Sequence, residues 1–291
     1  MREESIFKKR IHFDVTDSTN IQAKKGGLMG EESGTVYTAE FQTAGKGTKG
    51  RTWLSKKSEG VIMSLLLRPT VTPDKISQIT LIAAMAVTEA VNEVLDGTSA
   101  NETPDGSHLV KCQIKWPNDV LLNGKKMCGI LTEMAMQPDG SYFVVIGIGI
   151  NVNTTEFDPV LGGMATSMKA ETGCTFEKEQ VLEGFGRAFA RYYKRFVACE
   201  NLKSVVEDYD RMLVNCGREV RLSEENPNSC FAASTVAGGG QADGKAQEAV
   251  EYFGTALGIN ENGELLIRMK DGQVKAHRSG EIQVRGIYGY V

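Results

Sequence analysis

Residues 43–53 read TAGKGTKGRTW, and what flanks this stretch constrains the fold more than any other feature of the chain. Gly45, Gly47 and Gly50 fit the G-x-G-x-x-G spacing of a dinucleotide-binding turn. Gly45, Gly50, Arg51 and Thr52 come one residue short of a P-loop, with Arg where the phosphate-binding Lys should stand. Both patterns require a helix that starts at the loop, because its N-terminal N–H groups and dipole hold the phosphates. Here TVYTAEFQ (35–42), β-branched and aromatic, reads as a strand before the loop. WLSKKSEG follows, then GVIMSLLLR (60–68), a near-continuous apolar run that reads as a strand buried on both faces. The context is strand–loop–strand, so a Rossmann turn and a P-loop kinase are both excluded. What survives is a glycine loop that lets backbone approach a ligand, with Lys46, Lys49 and Arg51 as anion donors. Taken alone, the loop is more readily read as a solvent-exposed hairpin.

The rest of the chain alternates helical and strand patterns. IHFDV (11–15) reads as a short strand, and Asp17-Ser18-Thr19-Asn20 as cap residues for a short helix ending near Gly26-Gly27. Pro73 suits the first turn of a helix in which Ile76, Ile79, Ala83, Ala86, Ala90 and Val94 recur every three or four residues. A polar loop spans 96–108. LVKCQIKW, NDVLL and MCGILTEMAM then read as three strands, the last two joined at Asn123-Gly124, a type I′ hairpin signal. Gln137-Pro138-Asp139-Gly140 turns the chain into SYFVVIGIGINVN, a buried strand ending in glycines. Residues 178–214 read as helical, with an apolar stripe of Phe185, Phe189, Tyr192, Tyr193 and Phe196. Beyond Cys216-Gly217, REVRLS, AVEYFGTALGI, ELLIRM and EIQVRG read as short strands with Gly turns, the pattern of a small β-barrel. Within it, 224–247 is low-complexity and is expected to be a disordered insertion. The expected organisation is an α+β domain over 1–214, with a mixed or antiparallel central sheet flanked by helices, and a small all-β domain over 215–291.

Charge and composition narrow the function. A formal net charge of −4 over 291 residues is the opposite of the basic footprint of a nucleic-acid binder. Six cysteines are scattered without a C-x-x-C pair, which suits a reducing, cytoplasmic setting. MREESIFKKR carries acids and no apolar core, so it is not read as a secretory signal. No apolar run approaches bilayer-spanning length, so no membrane is expected. Three histidines without ligand spacing give no zinc site.

Three further stretches can carry chemistry beside the glycine loop. KWPNDVLLNGKKMCGIL (115–131) places Lys115, Asn118 and Asp119 at a strand end and Lys126 at the start of the hairpin's return strand. GIGINVN (147–153) has glycines at alternate strand positions, which weaken a sheet and mark close approach by a ligand or another chain segment. DSTN (17–20) can be a helix cap and nothing more. Each has a plain structural reading, packing and turn chemistry for KWPND and solvation for the lysines. In this order, however, DSTN, a Gly/basic loop ending R-T-W, KWPND, GKKMCGIL and GIGIN resemble the biotin protein ligases. The motifs run from residue 17 to 153, and the C-terminal β-rich segment is similar to that family's SH3-like tail.

The resemblance implies a class II synthetase-like catalytic domain with a small SH3-like β-barrel behind it. It implies that biotin and ATP form biotinyl-5′-AMP, and that biotin passes to one lysine of a biotin carboxyl carrier domain. Joining a carboxylate to an α-phosphate brings two anions together, so fixed cations are required; Lys46, Lys49, Arg51, Lys115 and Lys126 supply them. By position in the motifs, Ser18, Thr19 and Gln42 bond the ureido ring, and Gly45 and Lys46 offer backbone donors near the carboxylate. Trp53, Gly129, Leu131, Gly147 and Gly149 wall the ring and its chain. Lys126, with Arg51, carries catalysis; Lys49, Arg51, Lys115, Asn118 and Asn151 serve ATP, the last at adenine; Asp119 is the carboxylate for Mg2+. The family's loop commonly reads G-R-G-R-x-G-R, so Thr48 stands where an arginine helps keep the loop closed, and Lys49 is expected to take over that contact. A biotin-sensing repressor needs an N-terminal helix-turn-helix that about ten residues before the first strand do not hold. A lipoate–protein ligase shares the fold but has a glycine-rich signature and a His-Asp element that are missing here. An inert biotin-binding module leaves the phosphate-facing cations without a purpose.

Overall fold

Three eight-residue stretches, two of them carrying β-branched and aromatic residues and the third largely aliphatic, begin the sheet. In the computed structural model, which describes residues 4–98, 110–161, 163–224, 251–279 and 282–286, β1 (Lys9–Thr16), β2 (Thr35–Gln42) and β3 (Gly60–Leu67) form one half of a sheet. β4 (Cys112–Lys115), β5 (Asp119–Leu122), β6 (Lys125–Met136) and β7 (Tyr142–Asn151) complete it. The order is β1-β2-β3-β7-β6-β5-β4. Only β1 and β2 run parallel, joined by α1 (Thr19–Leu28); the other neighbours are antiparallel, so the sheet is mixed. The Asn123-Gly124 turn has both residues at positive φ, 48° and 76°, as a type I′ hairpin requires.

β7 shows how the sheet separates two faces. Val144, Ile146, Ile148 and Ile150 enter the main core under α2 (Ile76–Asp96) and α4 (Lys178–Cys199). Phe143 and Val145 alternate to the other face and pack with Ala23 of α1, Tyr37 and Leu66. α2 is long and apolar enough to cross a bilayer by length and composition, but its apolar window is 72% buried within the protein. α4 lays the rings of Phe185, Phe189, Tyr193 and Phe196 in a row, with successive centroids 5.4, 5.5 and 6.2 Å apart.

The continuous helix expected over 178–214 is broken. Glu200 adopts a left-handed φ of 51° and ends α4. Leu202 is then fully buried, with its N–H donating to Glu261 O at 2.8 Å. α5 (Val206–Met212) resumes the helical path. Tertiary burial of one leucine against a distant turn outweighs local helical preference there. Between β7 and α4 lies a short α3 (Met168–Thr172).

β8 (Glu219–Glu224), β9 (Glu251–Ile259), β10 (Leu265–Met269), β11 (Val274–His277) and β12 (Ile282–Gly286) make a five-stranded antiparallel sheet of order β11-β10-β9-β8-β12, consistent with an SH3-like tail. β11 escapes the sequence reading because V-K-A-H is an almost wholly exposed edge without apolar alternation. Val220, Leu222, Ala256, Ile259 and Ile267 belong to the same apolar cluster as the large sheet. Trp116 of the K-W-P-N-D stretch seals the joint by donating Nε1–H to Gly263 O at 3.1 Å. The expected loop at 96–108 lies outside the described residues from residue 99, and the expected insertion at 224–247 from residue 225. The five described cysteines are free thiols.

Candidate functional site

On the α1 face, β7 changes from Phe143 and Val145 to Gly147 and Gly149, and the missing side chains leave a cavity of about 260 Å³ over the sheet. Gly129 and Leu131 of β6 complete its floor, in register with Gly149 and Gly147. The glycines make room for protein groups as much as for a ligand. A Cβ on Gly149 would collide with the Trp53 indole, one on Gly129 would lie 3.0 Å from the same ring, and one on Gly147 would collide with the Asn20 carboxamide. Trp53 therefore forms an aromatic wall against the glycine floor.

The polar end is built from the start of α1. Ser18 occupies the N-cap position, yet its side chain makes no capping bond and lines the cavity. Thr19 donates its backbone N–H to Gln42 Oε1 at 2.7 Å, with Thr19 Oγ1 3.0 Å from the same oxygen. All three residues face the cavity.

The glycine loop is a tight hairpin laid across the mouth. Trp53 N–H donates to Gly45 O at 3.0 Å and Gly47 N–H to Arg51 O at 2.7 Å. Lys46 and Thr52 pair between those bonds. Among the described residues the N–H groups of Gly45 and Lys46 take no backbone partner, and Lys46 lines the cavity. The tip is a single 3₁₀ turn, Thr48–Gly50, with Lys49 at φ 58°. Arg51 folds back on it, donating Nε–H to Thr48 O at 3.1 Å and Nη2–H to Thr48 Oγ1 at 2.9 Å. Thr48, Lys46 and Arg51 line the cavity, whereas Lys49 is exposed and outside its wall. In this arrangement Thr48, standing where an arginine was expected, takes the Arg51 guanidinium, while Lys49 occupies the tip of the turn in a left-handed backbone conformation.

The charged end lies at the β5–β6 hairpin. Lys126 Nζ is 2.5 Å from Asp119 Oδ1. Its backbone is clasped by the segment before α3, with Lys126 N–H donating to Met164 O at 2.7 Å and Thr166 N–H to Lys126 O at 2.9 Å. Asn118 and Asn151 line the cavity while donating Nδ2–H to Ile130 O and Thr166 O, at 3.2 and 3.1 Å. Lys115 stands opposite Asp119 in the β4–β5 register and is 7% exposed. Burial pulls its ammonium down to about 8; Asp119 opposes this, and the positive charges of Arg285, Lys126 and Arg51 add to it. Lys115, Asp119 and Gly45 sit behind the cavity wall rather than on it. No group of three or more potential metal-ligating side chains occurs among the described residues.

Several wall residues were not anticipated. Phe157, Leu161, Met164 and Ala165 close the side above Lys126; their stretch has no periodicity that marks it in advance. Glu171 holds that wall in place, accepting from Thr166 Oγ1 at 2.6 Å, Asn123 Nδ2 at 3.0 Å and Lys125 Nζ at 3.0 Å. Asn20 and Glu133, at and behind the polar end, were not anticipated either.

A family model described as the biotin/lipoate A/B protein ligase family matches residues 12–151. The bifunctional ligase/repressor BirA of Bacillus subtilis is 32% identical over 288 residues, which is 98% of this chain and 76% of that protein. The biotin–[acetyl-CoA-carboxylase] ligase of Paracoccus denitrificans is 35% identical over 181 residues, 61% of this chain and 70% of its own length. Among solved structures, the biotin protein ligase from Aquifex aeolicus in complex with biotin and ATP superposes with a TM-score of 0.72 at 27% identity, covering 96% of this chain and 100% of that one. With the motifs gathered around one cavity and 98% of the chain matched by a relative 32% identical to it, this chain belongs to the biotin protein ligases of the biotin/lipoate A/B protein ligase family.

Proposed function

We propose that this enzyme activates biotin with ATP as biotinyl-5′-AMP in the cavity and transfers it to a lysine of a biotin carboxyl carrier domain. The observation that carries the reading is the polarity of the cavity along its length: a hydrogen-bonding end at Ser18, Thr19 and Gln42, an apolar glycine–tryptophan middle, and a cationic end at Lys126 and Arg51. Biotin has the same order, a ureido ring, an apolar body and a carboxylate. The Gly45 and Lys46 N–H groups and Lys126 then meet the carboxylate and α-phosphate, where charge builds during attack. Asn118, Asn151 and Lys115 are assigned to the nucleotide. A Mg2+ ion arriving on the polyphosphate needs one or two protein carboxylates beside phosphate oxygens and water; Asp119 fits that requirement and would hold it, and the ion's part is to neutralise phosphate charge. Biotin-dependent exchange of pyrophosphate into ATP by the purified protein tests the reading. Exchange with biotin is expected, and exchange with lipoate alone would reject it.

Thr48→Ala removes the hydroxyl that takes the Arg51 guanidinium, and release of biotinyl-5′-AMP is expected to quicken about three- to tenfold. Lys49→Ala should stay within about twofold of the parent, since Lys49 lies outside the wall. Trapping released adenylate in single-turnover experiments separates the two; leakage in Lys49→Ala alone would return the role to Lys49.

Lys115 predicts a pH signature. Its folded pKa, about 8, lies below the ordinary lysine value of 10.5. Between those values the unfolded chain binds a proton that the folded chain does not, so this residue makes stability rise with pH across that window. Buried tyrosines and cysteines, whose pKa values are raised, act in the opposite sense. The contribution is therefore read as the difference between the parent and Lys115→Met in urea unfolding from pH 7.5 to 10. The parent's advantage over the variant should grow with pH; a constant difference would show that Lys115 is not depressed.

A further inference from the structure

Behind the polar end of the cavity the hydrogen bonds run in a single direction. Lys24 Nζ lies 2.5 Å from Glu133 Oε1, and Asn20 Nδ2 lies 2.8 Å from Glu133 Oε2. Burial opposes ionisation of Glu133, but Lys24 and Asn20 overcome it and hold the carboxyl below its ordinary range. As a carboxylate, Glu133 can only accept. This orients the Asn20 amide, nitrogen toward Glu133 and oxygen toward Ser64, whose Oγ is 2.5 Å from Asn20 Oδ1. An amide oxygen cannot donate, so the one Ser64 proton goes to Asn20. Ser64 is fully buried and its Oγ also lies 2.7 Å from Thr19 Oγ1, with no proton left to give it. The Thr19 proton must then go to Ser64 Oγ or to Gln42 Oε1. In either arrangement Thr19 Oγ1 receives no proton from any described residue. Gln42 Oε1 is meanwhile committed to the Thr19 backbone N–H, which turns the Gln42 amide nitrogen away from it.

We infer that Glu133, acting through Asn20 and Ser64, sets the hydrogen-bond polarity of the cavity's polar end, leaving Thr19 Oγ1 as an acceptor beside Gln42 Nε2 as a donor. That pair is the complement of an N–H next to a C=O in a cyclic urea. The inference rests on the reading of the cavity as the biotin site, and it adds the cause of the preference. The biotin head has two ring N–H groups and a carbonyl; the dithiolane ring of lipoate has neither. Glu133 and Ser64 do not line the cavity and are positioning residues. Gly147 belongs to the same device, because any side chain there would displace the Asn20 carboxamide.

The test compares biotin with its two cyclic carbamate analogues, each having one ureido N–H replaced by oxygen, in the pyrophosphate exchange assay. For the parent, one of the two analogues is expected to show a biotin-site KM raised at least about tenfold, the loss of one well-placed hydrogen bond. Glu133→Gln presents an amide that can donate to Asn20, freeing the Asn20 amide to flip and the Ser64 proton to reach Thr19. In that variant the KM ratio between analogue and biotin should fall to about threefold or less, with KM for ATP unchanged. Lys24→Met, at the surface end of the relay, should shift the ratio in the same direction by less, because burial then favours a protonated Glu133 that can donate. A merely structural role would raise both KM values or lower the melting temperature and leave the ratio alone. The relay is overturned if the parent uses both carbamates as well as biotin, or if both variants keep the parental ratio. A parent with no biotin-dependent exchange at all would instead remove the ligase reading on which the relay stands.

Discussion

Lys126→Ala is expected to lower biotin-dependent pyrophosphate exchange by at least about a hundredfold, the scale on which removal of one preorganised donor at a developing charge acts. The side chain lines the cavity, and its backbone is fixed on both sides by Met164 and Thr166, so truncation removes a cation without removing the strand that carries it. The Lys126–Asp119 pair, 2.5 Å apart, complicates this, because the variant leaves Asp119, behind the cavity's cationic end, without that lysine. The double variant Lys126→Ala/Asp119→Asn separates the effects. Because Asp119 is itself the proposed Mg2+ carboxylate, the double variant is read against Asp119→Asn alone: a further loss of about a hundredfold, with a circular dichroism spectrum and melting temperature close to the parent's, assigns that loss to the missing cation. Recovery in the double variant would assign it to an uncompensated carboxylate.

The second large effect concerns the floor. Gly149→Ala places a methyl group into the Trp53 ring, while Gly129→Ala places one 3.0 Å from its edge. The first is expected to cost about 1–3 kcal/mol of stability, as overpacking of a buried site does, and to raise KM for biotin at least about tenfold by pushing the indole into the ligand's space. The second should act in the same direction and less. Equilibrium unfolding and biotin titration of the two variants check the grading. If Gly129→Ala proved the more damaging, Trp53 would not be the wall against which the cavity is shaped.

Much of the architecture was legible because it obeys local rules. The strand–loop–strand context of TAGKGTKGRTW already excluded two nucleotide-binding folds, and β2 and β3 are indeed antiparallel neighbours. Asn123-Gly124 and the 3.6-residue periodicity of α2 are read from neighbours in the chain. The break at Glu200 and the exposed strand β11 were not legible, since one depends on Leu202 meeting Glu261 and the other on an edge with no apolar pattern. Among site residues, the motif blocks carried Ser18, Thr19, Gln42, Trp53 and Lys126 to one cavity, while Lys49, read for its charge, is not among the residues that line it.

By itself the sequence determined the composition of the site: which glycines, cations and hydroxyls are available, and in what order along the chain. Tertiary structure decided what each faces. The glycines of β6 and β7 receive Trp53 and Asn20, Thr48 takes Arg51, and a segment without any pattern closes over Lys126. The reason is physical: periodicity and turn chemistry act over a few residues, whereas hydrogen-bond direction and packing at a cavity are set by groups up to 113 positions apart, such as Asn20 and Glu133.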